Sequence, residues 1–342
     1  MKGYTVQGDR ILVTGGAGYI GSHTCKALAY AGYEPVVYDD LSNGHAEAVL
    51  WGPLVKGDVR DVDRLASTMS AHSISGVIHF AGLIEVGGSM RRPDLYWDHN
   101  VNGVAAVLSA MRQADVSRLI FSSTAAVYGT PAQPGLLSET DALGPINPYG
   151  DSKLAGERMI AASCNAFGLE AVALRYFNAS GADPEGQIGE AHNPETHLIP
   201  LAIEAALSGQ SLTVFGSDFP TPDGFCMRDY IHVADLARAH VLALGLDRID
   251  GGFEAMNLGR GVGASVVEVI EAVGNACGRP PLHTIGPRRA GDPPMLVADP
   301  SRARARLEWR PEFDDLQTII DTAVAWRRDR RFGVTSALPN AA

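Results

Sequence analysis

Short runs of β-branched and aliphatic residues recur along the first half of the chain. Between them lie stretches whose apolar positions keep a helical period. Strands are predicted at Arg10–Thr14, Pro35–Tyr38, Leu54–Lys56, Gly76–Ala81, Arg118–Ser123 and Glu170–Asn178. Helices are predicted at Gly18–Ala31, Val62–Ala71, Leu95–Gln113 and Tyr149–Phe167. In the helix ending at Gln113, Val101, Val104, Ala105, Leu108 and Met111 share one face, which is expected in the core. Strands that are apolar throughout and alternate with helices specify a parallel sheet covered on both faces. The expected fold class is α/β, a doubly wound parallel sheet.

The pattern changes after Asn178. Gly181 to Glu195 is rich in Gly, Pro and acidic residues, and a domain boundary is expected there. A helix (Pro200–Ser208), a strand (Ser211–Phe215) and a long loop (Gly216–Met227) follow. Tyr230–Val233, a helix at Ala234–Leu244 and a strand at Phe253–Leu258 are expected to return to the first domain. A helix at Ser265–Cys277, a strand at Leu282–Ile285, a short helix capped by Asp299-Pro300-Ser301 and a terminal helix at Phe313–Arg330 complete a smaller α/β domain. The division expected is residues 9–178 with 230–259, residues 179–229 with 260–332, and a loose tail over 333–342.

The first strand leads into Thr14-Gly15-Gly16-Ala17-Gly18-Tyr19-Ile20-Gly21. Gly16 and Gly18 let the chain turn tightly and let backbone N–H groups approach a pyrophosphate, while Gly21 lets the following helix pack on the strand. A G-x-G-x-x-G string alone also fits a turn with no ligand. Here a strand precedes it, a helix follows, and the second strand ends in Asp39, close to the ~20-residue spacing of an acid that binds an adenosine ribose. The remaining strand ends, such as Gly57-Asp58, Phe80-Ala81-Gly82 and Ser122-Ser123-Thr124, are small or polar, as suits a cofactor lying along that edge.

Tyr149 and Lys153 stand four apart at a helix start and so share a face. An ammonium beside a phenol favours the phenolate and is expected to lower the tyrosine pKa, making Tyr149 a general base. Thr124, at the end of the fifth strand, could bind the same substrate oxygen. Together with a nucleotide edge, these three suit hydride transfer at an alcohol carbon.

Composition narrows the partners. The 342 residues carry a net charge of −11 without a long basic block, which argues against nucleic acid. The longest apolar runs are strand-length, and Met1 to Asp9 has no signal-peptide core, so no membrane span and a cytoplasmic location are expected. The 4 cysteines are far apart and form no C-x-x-C pair. His192-Asn193-Pro194-Glu195-Thr196-His197 offers metal-ligand types. Pro194 rules out a helical i,i+4 pair there, so the segment reads as a polar loop and no metal is expected.

Several stretches then carry a family likeness: the glycine turn continued by Ser22-His23, His79-Phe80-Ala81-Gly82-Leu83, Asn100-Val101-Asn102-Gly103, Ser122-Ser123-Thr124 and Val127-Tyr128-Gly129. Asn147-Pro148-Tyr149-Gly150 with Lys153, Arg175-Tyr176-Phe177-Asn178, Arg228-Asp229-Tyr230-Ile231-His232-Val233 and Arg288-Arg289 with Gly291-Asp292 complete it. From about Arg10 to Trp309 the chain resembles the extended short-chain dehydrogenase/reductase family, and within it the enzymes that epimerise UDP-hexoses at C4. The resemblance implies an NAD-binding Rossmann domain, a smaller C-terminal UDP-sugar domain, and a homodimer made by the helices Leu95–Gln113 and Tyr149–Phe167. Tyr149 would take the proton of the sugar 4-hydroxyl, Lys153 would hold the cofactor ribose and depress the tyrosine pKa, and Thr124 would bind the 4-oxygen. Gly15, Gly18, Tyr19, Ile20, Gly21, Asp39, Asp40, Asn43, Asp58, Val59, Phe80, Ala81, Gly82, Leu83 and Phe177 would join Tyr149 and Lys153 in binding NAD. Asn178, Leu198, Phe215, Arg228, Arg289, Asp292 and Leu296 would bind the UDP-sugar beside Thr124 and Tyr149. Convergent arginines supply the positive charge that an acidic protein needs for a diphosphate.

The chain departs from the family pattern at Ile84 and His99, where relatives often carry Lys and Asn. Leu296 stands where a larger or smaller residue usually borders the sugar. Three other functions compete. A UDP-pentose (xylose/arabinose) 4-epimerase would share these motifs. A sugar-nucleotide 4,6-dehydratase needs an acid pair after Thr124, where this chain has Ala125 and Ala126. A non-enzymatic NAD-binding regulator would have no need of Tyr149, Lys153 and Thr124 together.

Overall fold

The structure, a computed structural model, describes residues 8–131, 135–289 and 292–333. The first half of the chain runs β1 (Arg10–Thr14), α1 (Tyr19–Tyr30), β2 (Glu34–Asp39), β3 (Leu54–Lys56), α2 (Val62–Ala71), β4 (Ile74–His79), α3 (Val86–Arg91), α4 (Pro93–Tyr96), α5 (Gly103–Gln113), β5 (Arg118–Thr124), α6 (Pro148–Phe167) and β6 (Glu170–Tyr176). It continues through β7 (Asn178–Ser180), α7 (Leu198–Ser208), β8 (Leu212–Phe215), β9 (Met227–His232), α8 (Val233–Leu244), β10 (Phe253–Leu258), β11 (Gly263–Ser265), α9 (Val266–Cys277), β12 (His283–Gly286), β13 (Met295–Leu296), α10 (Ser301–Leu307) and α11 (Leu316–Arg328).

Seven strands form one sheet in the order β10-β6-β5-β4-β1-β2-β3, and every pairing is parallel. Alternate side chains of β1 feed two cores. Leu12 packs with α2, α5 and α6 residues such as Leu65, Val107 and Ile160 on one face. Ile11 and Val13 pack with Cys25, Leu28 and Leu236 of α1 and α8 on the other. This is the doubly wound architecture expected from the apolar strands. The chain leaves β1 toward β2 and later returns to β4 on its other side. A switch point therefore lies between β1 and β4, and ligands of such sheets bind outside the strand C-termini there.

A second sheet orders β11-β9-β13, with β7 also on β9, and β8 pairs with β12 separately. Helices α7, α9 and α11 share an apolar cluster that includes Ile203, Val269, Val273 and Ile320. Among the described residues no helix is long and apolar enough to cross a membrane.

Three expectations are corrected. The helix expected over Leu95–Gln113 is interrupted by a π-helical turn at Trp97–Asn102. The wider turn shifts the buried stripe to Gly103, Val104, Val107, Ala110 and Met111, so Ala105 is exposed instead of in the core. The strand expected through Asn178 ends at Tyr176, and the chain crosses to the other sheet, where Asn178 pairs with Tyr230. The strand expected at Tyr230–Val233 is β9, and it lies in the second sheet; only α8 and β10 rejoin the first. An apolar run gives a strand, but not which sheet receives it. The tail from Val334 onward, and Gly291 of the Gly291-Asp292 pair, lie outside the described residues.

Candidate active site

Two glycines bring three elements into contact. Gly15 has φ +73°, and a Cβ there would stand 2.6 Å from the Ala81 backbone nitrogen. A Cβ on Gly21 would stand 2.2 Å from the Gly15 carbonyl oxygen. The end of β1, the start of α1 and the end of β4 can therefore meet only as bare backbone. The Phe80 and Ala81 N–H groups both donate to Thr14 O, at 2.9 and 3.1 Å. Gly18 caps α1 with no side-chain hydrogen bond, and no acidic residue stands in the first turn. Helix N–H groups that lack a cap are a ready anion site, so this turn fits a pyrophosphate.

Asp39 stands across the turn. Its carboxylate accepts from Ala17 N at 3.0 Å and Leu41 N at 2.9 Å. Burial raises its pKa, and the two N–H donors oppose the rise. Asp40 accepts from Ser42 N at 2.8 Å. Asn43 lines a small cavity with Gly18, Tyr19, Ser22 and His45, and Ile20 packs into the core beneath. The Tyr19 hydroxyl donates to Gly181 O at 2.6 Å. Asp58 is engaged by Arg60 at 2.9 Å, and that bond holds its carboxyl down at about 2. Val59 is buried beside it.

The loop after β4 ties this turn to the chemistry. Asn100, turned inward by the π-helical segment, accepts from Leu83 N at 2.8 Å and donates to Leu83 O at 3.1 Å and Ser152 Oγ at 2.9 Å. A Cβ on Gly82 would stand 2.9 Å from Asn100 Oδ1. Ile84, beyond it, is exposed and apolar, and His99 lies within electrostatic reach of Asp58 and Asp98.

Helix α6 begins at Pro148 and is capped by Asn147, which accepts from Gly150 N at 2.9 Å. The cap sets the first turn, so Tyr149 and Lys153 project together. The Thr124 side chain lies near enough to Tyr149 to favour its phenolate. Lys153 Nζ donates to Ser122 O at 2.9 Å and lies 5.0 Å from the Phe121 ring centroid. Behind them Glu157 accepts from Ser123 Oγ at 2.5 Å and from Arg175 at 2.6 and 2.9 Å, locking α6 to β5 and β6.

The electrostatics correct the expectation of a lowered tyrosine. Dense surroundings push Tyr149 up to about 12, and the nearby Thr124 side chain only partly opposes this. Burial brings Lys153 down to about 8, against the pull of Glu157. Loss of solvation sets the tyrosine's shift, while the ammonium is held on the Ser122 carbonyl.

On the other side, Arg228 Nη1 donates to Met227 O at 2.8 Å and Pro293 O at 2.9 Å, and its Nη2 lies 3.8 Å from Asp292. The Arg289 guanidinium lies 4.0 Å from the Phe215 ring centroid. Asn178 opens β7, Leu198 opens α7, and Leu296 pairs with Arg228 in the sheet. Leu296 and Phe177 both pack on a cluster of Val127, Tyr128, Leu137 and Leu154, just beyond Thr124. The sequence motifs contained Asn100 and Arg175 without revealing their roles. Both act by fixing neighbours, and a polar residue inside a helix or strand gives no sign of its partner.

Such a site offers a dinucleotide the switch point and presents a phenol to a carbon bearing a hydroxyl, the division of labour of a dinucleotide-dependent dehydrogenase-type enzyme. The chain belongs to the NAD dependent epimerase/dehydratase family, whose model matches residues 11–259. It is 50% identical over 321 residues to the UDP-glucose 4-epimerase of Rhizobium leguminosarum bv. trifolii, covering 93% of this chain and 97% of that protein. The crystal structure of UDP-glucose 4-epimerase from Brucella ovis in complex with NAD superposes with a TM-score of 0.89 at 50% identity, covering 93% of this chain and 98% of that one. The Bifidobacterium longum UDP-glucose 4-epimerase, in complex with NAD+ and UDP, also gives 0.89, at 37% identity over 95% of this chain and all (100%) of that one.

Proposed function

We propose that this chain interconverts UDP-glucose and UDP-galactose by inverting C4, with NAD bound tightly and not consumed. The observation that carries the reading is the convergence of Tyr149 on Thr124 at the end of β5, with Lys153 one helical turn on. Full-length similarity to UDP-glucose 4-epimerases supports the substrate. Gly15, Gly18, Gly21 and the start of α1 would hold the NAD pyrophosphate, Asp39 a ribose, and Lys153 the nicotinamide ribose. NAD, when bound, supplies the acceptor for hydrogen leaving C4 and its donor on return.

Tyr149 takes the proton of the 4-hydroxyl, and Thr124 holds the same oxygen in place. The sugar becomes a 4-ketose, and Arg228 and Arg289 hold the diphosphate while the ring turns over. Tyr149 then returns the proton to the oxygen of the opposite epimer. Ala125 and Ala126 follow Thr124, so no acid pair stands there to eliminate water. Asp39 and Asp40 oppose a 2′-phosphate, which favours NAD over NADP. The proposal includes a cytoplasmic homodimer formed through α5 and α6, which sedimentation of the purified protein tests.

The test is incubation of purified protein with UDP-galactose and, separately, UDP-xylose, without added NAD. Conversion of UDP-galactose to UDP-glucose, with NAD released only on denaturation, is expected. Turnover of UDP-xylose alone would assign a pentose epimerase. Stoichiometric NADH with a stable 4-keto product would refute epimerisation.

A further inference from the structure

The segment read from sequence as a polar loop gathers four ligating side chains. Glu190, His192, Glu195 and His197 each place one ligand atom within 4.8 Å of all the others. His192 Nδ1 lies 3.1 Å from Glu190 Oε1 and 3.8 Å from Glu195 Oε2. His197 Nδ1 lies 2.8 Å from Glu190 Oε1 and 3.1 Å from Glu195 Oε1. Zinc bonds of about 2.0–2.2 Å to nitrogen and oxygen make the edges of a tetrahedron about 3.3–3.6 Å long. The observed separations, 2.8 to 3.8 Å, bracket that value. Helical spacing is not needed, because the loop folds back on itself.

The loop is anchored independently of the four side chains. Trp326 Nε1 of α11 donates to Glu190 O at 2.9 Å, and the His45 ring bonds Ala191 O at 2.8 Å. The Glu190 side chain is only 9% exposed. The carboxylates favour a proton on His197, which a divalent ion would displace to solvent; two carboxylates with two neutral imidazoles then balance the dication, and imidazole donors favour zinc-type ions over calcium or magnesium. Tyr19 faces the cluster, its ring 6.2 Å from that of His192, and Arg330 lies within electrostatic reach of Glu195.

We propose that Glu190, His192, Glu195 and His197 bind one divalent transition-metal ion of the zinc type, which braces the loop between β7 and α7 against Tyr19 at the start of α1. The site joins the cofactor side of the molecule to Leu198, the first residue of α7, and takes no part in the proton chemistry.

The experiment uses untagged full-length protein, dialysed against chelator and titrated calorimetrically with zinc chloride; cobalt(II) absorption reports the coordination geometry. One zinc per chain and a tetrahedral cobalt spectrum are expected, with a rise in the thermal unfolding midpoint. His192→Gln and Glu195→Gln, near the loop surface, should each weaken zinc by more than the ~10–100-fold that loss of a partner outside the coordination sphere costs. His283→Gln, exposed on β12, should bind as the parent does. Absent or non-stoichiometric binding, or binding unchanged in the first two variants or weakened in the third, overturns the site. Stoichiometric binding without a rise in the midpoint overturns the bracing role.

Discussion

The two ends of the site are built differently. At the end proposed for the cofactor, backbone touches backbone: Gly15 and Gly21 leave no room for a Cβ, and the contacts lie within one β-α unit and the end of β4, its neighbour in the sheet. At the end proposed for the sugar nucleotide, side chains from β7, α7, β8 and β9, with Arg289 and residues 292–296, are assembled across the sequence, and Asp292 is 35% exposed. A backbone cradle tolerates almost no substitution, whereas a side-chain wall can change one residue at a time. The reaction should accordingly be fixed at the first end and at Tyr149, and the choice of sugar at the second.

The strongest way to break this comparison lies where the ends meet. Tyr149→Phe keeps the ring and removes the proton acceptor, so kcat should fall about 10²–10⁴-fold with little change in KM. The parent's pH profile sharpens the point. Burial holds the phenol up at about 12, so its base form grows with every rise in pH below that value, and kcat should keep climbing with pH without a plateau short of it. The residual activity of Tyr149→Phe should lack that climb. Near-normal turnover in the variant would move the base elsewhere.

Gly15→Ala tests the cradle. The added Cβ meets the Ala81 backbone at 2.6 Å, at a positive φ. Strained backbone of this kind costs about 1–3 kcal/mol, before the clash is counted. The variant should melt lower and lose NAD on gel filtration, while Arg289→Ala should do neither. Arg289→Ala should instead raise KM for UDP-sugars by about 10–150-fold, the loss of a hydrogen bond to a charged group worth ~1.5–3 kcal/mol. If both variants lost NAD equally, the ends would not be separable.

What the sequence made legible follows the same division. The glycine turn, Asp39 and the start of α6 are local features, and their places at strand ends and a helix start could be read from spacing alone. Asn100 could not, because its inward direction depends on a π turn that binary patterning does not encode. Nor could the transfer of β9 to the second sheet be read, since sheet membership is decided by packing of distant elements. The Tyr149 pKa is not legible either, for a physical reason: spacing shows the lysine nearby but not how much solvent both groups lose.

Leu296 offers the smallest effect and the finest test of the sugar end. Its position rests on two observations: it pairs with Arg228 in the sheet, and it packs with Phe177 on the cluster beyond Thr124. In the family resemblance, a bulky residue here excludes an N-acetyl group near C2 of the sugar and a small one admits it. Leucine is intermediate in volume and has no hydrogen bond to give an amide. An N-acetylated sugar would therefore need slack in the pocket or leave an amide buried without a partner, which costs about 1–3 kcal/mol. Discrimination by one or two methylenes is worth only ~1–3 kcal/mol, about 10–200-fold. The parent should thus prefer UDP-galactose and turn over UDP-N-acetylgalactosamine weakly. Leu296→Ser should narrow the ratio and Leu296→Tyr should widen it, with the NAD content of all three proteins unchanged. The deciding measurement is kcat/KM for both substrates in the three proteins. Equal values in the parent, moved by neither substitution, would mean that Leu296 does not gate the pocket, and the sugar end would owe its selectivity to the arginines instead.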